Sequence, residues 1–515
     1  MPDTIAVDVA TAAGPPGQLL PRQRGDTAPD RRAGRRLDPV IWVLPALLAA
    51  GLGVWRLTGP ALWADELATW GAVRLSWGEL WRLSHAVDAV LTPYYAAMKV
   101  YTTVAGTSTA ALRLPALLAT VGTTLVVVAL GRRLGGRWAG LTAGLLFAVL
   151  PVTSRYAQEA RPYACVMLAA SLAVLCLIRL LDDPGGARAT AYAGAVLFAG
   201  LSHPLCALLV LAAHAATVAV RQIGVGTAAR YGTVAWLGAA LPGALGAGAL
   251  IALGYRSRTQ ISWIRHLTLS AFQVFPDRLF LSGAVGGIVL GLAVLAVRRD
   301  LGHVGVAAAG FMPILVLLAA DRVTPIWVAR YVLVAVPPLT VLAACAAVRW
   351  GRVRALAVVT LAAVLGYPSQ LSVRGSAGHG ADSAKVATVI GPLWKPGDVV
   401  VFPDTHDSIP WAPRDLYDRY LPVPRPADVL QLEPPRTHGR FPATECPDAS
   451  CLGNPPRIWV VRVDDPADPF RDMSPGKQKR LRDGYQPVKR WTYPELGVVL
   501  LERKRPGRSP VGASR

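Results

Sequence analysis

Apolar residues run in long, nearly unbroken blocks through the first three quarters of the chain, separated by short polar turns. The blocks at 39–57, 112–130, 139–152, 163–181, 190–202, 205–220, 234–253, 279–297, 304–320, 326–348 and 355–371 predict about eleven transmembrane helices. Residues 1–37 are rich in Pro, Gly, Asp and Arg without apolar periodicity, which predicts a disordered tail. So long a polar lead makes 39–57 a first span rather than a cleavable leader.

Between 58 and 111 the pattern changes. Trp70, Trp77, Trp81, Tyr94, Tyr95 and Tyr101 alternate with charged residues, as in amphipathic helices lying at a membrane interface. The stretch 92–104 reads either as part of this loop or as a short span. Charge favours the loop, because 112–130 then ends at Arg132, Arg133 and Arg137 on the same side as Arg31, Arg32, Arg35 and Arg36. The positive-inside rule places that side in the cytoplasm. Residues 38–373 thus form a transmembrane module with its first outer loop at 58–111, and an odd number of spans puts everything after Arg374 outside.

That last region, 374–515, has Pro-rich linkers and short β-branched runs at 398–402, 457–463 and 497–502, with a helical pattern at 382–394. The expected fold is an all-α polytopic membrane bundle carrying a small extracytoplasmic α/β domain.

Composition agrees: 53% of the 515 residues are hydrophobic and only 17% charged, too apolar for a soluble protein of this size. The net charge of +21 belongs to cytoplasmic loops facing anionic lipid, so no nucleic-acid partner is expected. Four cysteines lie within apolar segments. Cys446 and Cys451 lie in a polar region and read as a free pair or as a disulfide in an oxidising compartment.

Two polar clusters fall on the outer side. The first is Asp65–Glu66, followed by His85 and Asp88, whose spacing of three places them on one side of a helix. The second is the stretch 156–163, with Gln158, Glu159, Arg161 and Tyr163. Pro162 there predicts a helix start, and a helix N-terminus beside Arg161 suits an anion such as phosphate. Each has a plainer reading: solvated loop carboxylates, and side chains reaching the interface. Arg330–Tyr331 reads as an interfacial anchor or a phosphate ligand, His203 as a cap, and Asp404, His406 and Asp407 as a turn rather than a metal triplet.

From Trp63 to Leu181 the chain resembles the membrane glycosyltransferases of the GT-C superfamily, in particular the family 39 group of protein O-mannosyltransferases and aminoarabinose transferases. The resemblance rests on Asp65–Glu66, on the TPYY stretch containing Tyr94, on ALRLPALL (111–118), GRRLGGRWAG (131–140) and YAQEARPYA (156–164), and on ARYVLVAVPPL (329–339). It departs from the family at Leu91-Thr92-Pro93, where His-Pro-Pro is common, and the histidine stands instead at His85.

The resemblance implies a polyprenyl-phosphate sugar donor, an unspecified glycan, lipid or protein acceptor, and a bacterial plasma membrane. Asp65 is then the expected general base, assisted by Glu66 and Glu159. Arg161, with Arg330 or Arg265, is expected to neutralise the phosphate. The acids orient the acceptor or hold a divalent cation, magnesium or manganese, with Asp65 and Glu159 as its ligands. His85, Asp88, Tyr94, Gln158 and Tyr163 complete the expected substrate site. A single base without a nucleophile implies inversion at the anomeric carbon. The competing class, a transporter or lipid flippase, needs charge near mid-bilayer, and these spans carry their charges at the ends.

Overall fold

The computed structural model describes residues 31–225, 230–255, 263–405, 409 and 411–504. Residues 1–30 of the expected tail, and His406 and Asp407, lie outside the described residues. Helix α1 (Arg31–Val54) takes in the last seven residues of the expected tail.

The first loop folds into three short helices, α2 (Ala64–Val73), α3 (Trp77–Ala86) and α4 (Thr92–Ala105). Ser76 caps α3 by accepting from the amide of Glu79 at 3.1 Å. This helix is amphipathic as expected: Leu80 and Leu83 are buried while Trp77 and Trp81 face outward. Helix α4 has only 14 residues and packs into the loop's own core through Tyr94, Tyr95 and Met98, so it is not a span. Because α3 ends at Ala86, Asp88 lies past the helix and does not share a face with His85, contrary to expectation.

Helix α5 (Thr109–Val149) is two helices joined at Gly136, whose φ of 77° is a left-handed conformation that glycine adopts without penalty. The second arm folds back so that Gly140 lies against the Val128 carbonyl, and the two predicted spans are thereby one bent element. After α6 (Pro151–Ala157) come α7 (Tyr163–Asp182), α8 (Gly186–Ser202), α9 (Pro204–Val225) and α10 (Arg230–Gly254). Two short helices, α11 (Leu269–Gln273) and α12 (Phe275–Phe280), precede α13 (Gly283–Ala296) and α14 (Leu301–Asp321). A 3₁₀ turn (Ala329–Ala335) leads into α15 (Val336–Arg349), and α16 (Arg352–Ser372) closes the bundle.

Among the described residues, seven helices are long and apolar enough to cross a membrane and two shorter apolar ones accompany them. The protein is therefore a multi-pass membrane protein. One continuous core joins α5, α7, α13, α14 and α15, and a second joins α7 to α10. Arg132, Arg133 and Arg349 lie at one end of the bundle. Arg132 pairs with Asp38 at 3.3 Å, Arg133 with Asp182, and Arg349 donates to the Leu295 and Ala296 carbonyls at 3.2 and 3.0 Å.

At the opposite end sits the C-terminal domain: α17 (Lys385–Ile390), β1 (Val399–Val401), α18 (Ala412–Tyr420), β2 (Gln431–Glu433), β3 (Thr444–Glu445), β4 (Arg457–Arg462), α19 (Pro475–Gly484), β5 (Tyr485–Tyr493) and β6 (Leu496–Arg503). Its main sheet has the order β1-β4-β6-β5, with β1 and β4 parallel and the other pairs antiparallel. Both faces of the central strands are buried. Val400, Trp459, Val461 and Val498 lie on the side of α17 and α18, in the core these share with α2 and α4, whereas Val401, Ile458, Val460 and Val499 share a core with Leu481 of α19. Cys446 and Cys451 form a disulfide in this domain. The sheet and the first loop share one hydrophobic core, so both lie at the same end of the bundle.

Candidate active site

Asp65 stands in the first turn of α2, where the helix dipole favours a negative group. Its Oδ2 lies 3.9 Å from Nε of Arg161 and 3.9 Å from Nη2 of Arg330. These separations are ion pairs but too long for hydrogen bonds. Oδ2 of Asp65, Nε of Arg161 and Nε of Arg330 are all buried without a hydrogen-bond partner. Three unpaired ionic atoms facing one gap form a site with unused capacity to bind.

The gap has aromatic walls. The Arg330 guanidinium lies 5.7 Å from the Trp63 ring, 5.5 Å from that of Trp263 and 6.0 Å from that of Tyr331. Below it, Tyr163 packs edge-on to Tyr156 at 5.6 Å and beside His203 at 5.7 Å. Arg161 is fixed from the other side, donating through Nη1 to the Asp65 carbonyl at 3.3 Å and to the Tyr95 hydroxyl at 3.1 Å. Tyr95 in turn donates to Asp88 at 2.8 Å. Burial pushes the Asp88 carboxyl up to about 6, against the opposing charge of Arg161 and the Tyr95 hydrogen bond.

Glu66 has a different job from its neighbour. It is wholly buried and receives Arg113 through both oxygens, at 2.8 and 2.7 Å. The amide of Ala160 adds a bond at 2.9 Å and His379 one at 3.3 Å. Burial raises its proton affinity, but Arg113 and the His379 hydrogen bond outweigh this and hold it well below the usual carboxylate range. A carboxylate so enclosed cannot touch substrate, so the expected catalytic role of Glu66 is corrected. It ties α2, α5, the 159–162 loop and the start of the C-terminal domain together.

Glu159 accepts from Trp63 Nε1 at 3.1 Å and from Arg155 at 2.8 Å. Burial pushes its carboxyl up, partly offset by Arg155. Gln158 donates to the Gly53 and Trp55 carbonyls, both at 2.8 Å, anchoring the loop to α1 rather than facing the gap. Tyr94 is buried in the loop core. His85 is exposed, with its ring on Trp81 and Nδ1 directed at the Trp81 carbonyl at 2.9 Å. Arg265 is exposed in the α10–α11 loop. The structure therefore gathers Asp65, Asp88, Arg161, Tyr163 and Arg330 and leaves His85 and Arg265 apart. Arg330 stands beside Asp65 rather than apart from it, and Asp404 accepts from the Ser474 amide at 2.8 Å.

Arg113, Arg155 and Trp63 escaped the sequence reading. Arg113 had a signal: an arginine inside an apolar helix needs a buried partner. The expected divalent cation is not matched by the donors. Two guanidinium groups flank Asp65, and Glu159 is already engaged. Among the described residues no three His, Cys, Asp or Glu side chains are grouped as ligands.

The bundle, the folded first loop and the sheet domain on it define a membrane protein with the fold of the GT-C glycosyltransferases. Residues 91–244 match the model of the dolichyl-phosphate-mannose-protein mannosyltransferase family. The chain is similar in structure to ArnT from Cupriavidus metallidurans in the apo state, with a TM-score of 0.57 at 14% identity over 92% of this chain and 98% of that one. The same protein bound to undecaprenyl phosphate gives a TM-score of 0.57 at 15% identity over 90% and 97%. Comparison with curated proteins finds no sequence match.

Proposed function

We propose that the protein is an integral membrane glycosyltransferase that moves a sugar from a polyprenyl-phosphate donor to an acceptor hydroxyl at the Asp65 end of the bundle. The observation that carries this reading is Asp65 standing 3.9 Å from both Arg161 and Arg330, with its Oδ2 and the Nε of each arginine buried and without a hydrogen-bond partner. Support comes from the family model and from a similarly folded protein that binds undecaprenyl phosphate.

Arg161 and Arg330 take the donor phosphate, their guanidinium groups matching its oxygens. Phosphate and Asp65 compete for the same two cations, so an arriving donor leaves Asp65 free to accept a proton. The acceptor hydroxyl gives its proton to Asp65 while its oxygen bonds to the anomeric carbon. The bond from that carbon to the phosphate oxygen breaks, and its electron pair leaves with the polyprenyl phosphate. One base acting on one acceptor, without an enzyme nucleophile, inverts the anomeric centre. Trp63, Trp263 and Tyr331 shield the arginines and strengthen their pull on the leaving charge.

The Asp65 end is outside the cytoplasm in this reading. The arginine-rich turns at the opposite end and the Cys446–Cys451 disulfide at this one support that orientation. The test is transfer from radiolabelled polyprenyl-phosphate sugars by the protein in liposomes, paired with mass spectrometry of envelope glycans and glycoproteins from cells with and without it. Label appearing in an acceptor that is lost from those cells names donor and acceptor together. Unchanged envelope glycans and no transfer from any donor would reject the proposal.

A further inference from the structure

Asp321 is the last residue of α14, and its side chain is buried. No lysine or arginine pairs with it among the described residues. Backbone amides take up the carboxylate instead. Oδ1 accepts from the amides of Ile326 and Trp327, both at 2.9 Å, and so closes the turn at 321–327. Oδ2 accepts from the amide of Leu267 at 2.8 Å, reaching across 54 residues to the loop at 263–268. The Asp321 carbonyl holds the same loop, lying 2.5 Å from Nδ1 of His266. A buried carboxylate is costly unless its oxygens are bonded, and this one uses both to join two loops.

Both loops lead to one guanidinium. Arg330 follows Trp327 by three residues, and Trp263 precedes Leu267 by four. The Arg330 guanidinium makes no hydrogen bond among the described residues, and its Nε is buried without one. Its own backbone and the rings of Trp63, Trp263 and Tyr331 therefore set its position. The backbone is fixed at the 321–327 turn, where Trp327 also packs edge-on to Phe275 at 5.4 Å. Trp263 is itself exposed, so the place of its ring follows the loop that Asp321 holds.

We propose that Asp321 is a positioning residue of the donor site. By holding the Arg330 turn and the Trp263 loop on one carboxylate, it fixes the guanidinium that takes the donor phosphate and the ring that lies over it. This rests on the functional reading above, in which Arg330 binds that phosphate. It goes beyond it by assigning part of the site to a residue that touches neither Asp65 nor Arg161.

The experiment uses the full chain in detergent micelles and undecaprenyl phosphate as probe, with binding followed by tryptophan fluorescence and folding by thermal unfolding. Asp321→Ala cuts both loops free and is expected to weaken binding about tenfold, the scale of one lost hydrogen bond to a charged group. Asp321→Asn keeps one oxygen for the Ile326 and Trp327 amides but sets an NH₂ group against the Leu267 amide. It should lose binding by a smaller factor. In transfer assays the loss should fall on KM for the donor and leave KM for the acceptor in place. Adding Asp321→Ala to Arg330→Ala should cost little beyond Arg330→Ala alone, because both act through the same guanidinium. A role confined to holding the fold together would instead lower thermal stability and give losses that add in full. Wild-type binding by folded Asp321→Ala, or full additivity with Arg330→Ala, would overturn the proposal. Should Asp321→Ala fail to fold, Asp321→Asn decides alone: weakened binding that vanishes in the Arg330→Ala background supports the proposal, and wild-type binding overturns it. A wild-type protein that neither binds undecaprenyl phosphate nor transfers sugar defeats the functional reading and this inference together. Normal binding by wild type and Asp321 variants alike defeats only this inference.

Discussion

Arg113 closes on Glu66 at 2.7 and 2.8 Å with both side chains excluded from solvent, while Asp65, one residue earlier, is left 3.9 Å from its nearest cations. One peptide bond separates a carboxylate closed in by protein groups from the one proposed as the base. Helix geometry explains the difference. Successive side chains on α2 diverge by about 100°, so Glu66 turns into the protein and Asp65 toward the gap.

Breaking the Glu66–Arg113 pair should destabilise the fold rather than act on the chemistry. Glu66→Gln or Arg113→Ala leaves an uncompensated buried charge, a loss of about 3–5 kcal/mol. The sign with pH follows from the lowered affinity of Glu66 for its proton. Its contribution is present above the ordinary carboxylate range and is lost as pH falls through that range toward its folded value. Thermal unfolding in detergent across acid pH should show this loss in wild type and not in Glu66→Gln.

Asp88 has the opposite sign. With its folded value raised to about 6, the native state binds this proton more tightly than the unfolded chain. The resulting stability is present at acid pH and is lost as pH rises through about 6. Ionised Asp88 is nevertheless what orders Tyr95 and Arg161. Asp88→Asn should therefore keep or gain thermal stability at neutral pH while losing activity, and the acid limb of transfer near pH 6 should disappear. A variant that is both less stable at neutral pH and unchanged in its acid limb would contradict this role.

Removing either arginine from the gap should act on the donor. Arg161→Ala and Arg330→Ala should each raise KM for the polyprenyl-phosphate sugar at least about tenfold, with a much smaller change for the acceptor. Steady-state kinetics with each substrate varied separately distinguishes this from a general loss of activity.

Glu159→Gln should preserve a carbonyl acceptor for Trp63 but lose the charge facing Arg155. A reduction in transfer of about tenfold, well short of that from Asp65→Asn, is expected. Equal losses in the two variants would make Glu159 a second base.

The membrane bundle was legible because each span is a continuous apolar block, and even the bend at Gly136 was visible as an arginine- and glycine-rich turn. Strands β1, β4 and β6 were legible for a related reason: buried on both faces, they read as unbroken runs of Val, Ile and Leu. The edge strand β5 was not, since YQPVKRWTY is mostly exposed and Pro487 sits at a bulge. In the site, Asp65, Glu159 and Arg161 stood out by their positions at outer loops. The different fate of Glu66 depends on contacts with Arg113, Ala160 and His379, segments far apart in sequence that a local pattern does not bring together.

In the proposed mechanism Asp65 takes the proton of the acceptor hydroxyl. Asp65→Asn removes the base but keeps a group of the same shape beside Arg161 and Arg330. The decisive measurement is single-turnover transfer from a labelled polyprenyl-phosphate sugar by wild-type and Asp65→Asn protein, each shown to be folded and to bind undecaprenyl phosphate. The variant should bind the lipid at least as tightly and transfer sugar about 10²- to 10⁴-fold more slowly. Transfer at the wild-type rate by a folded, lipid-binding Asp65→Asn protein would contradict the account.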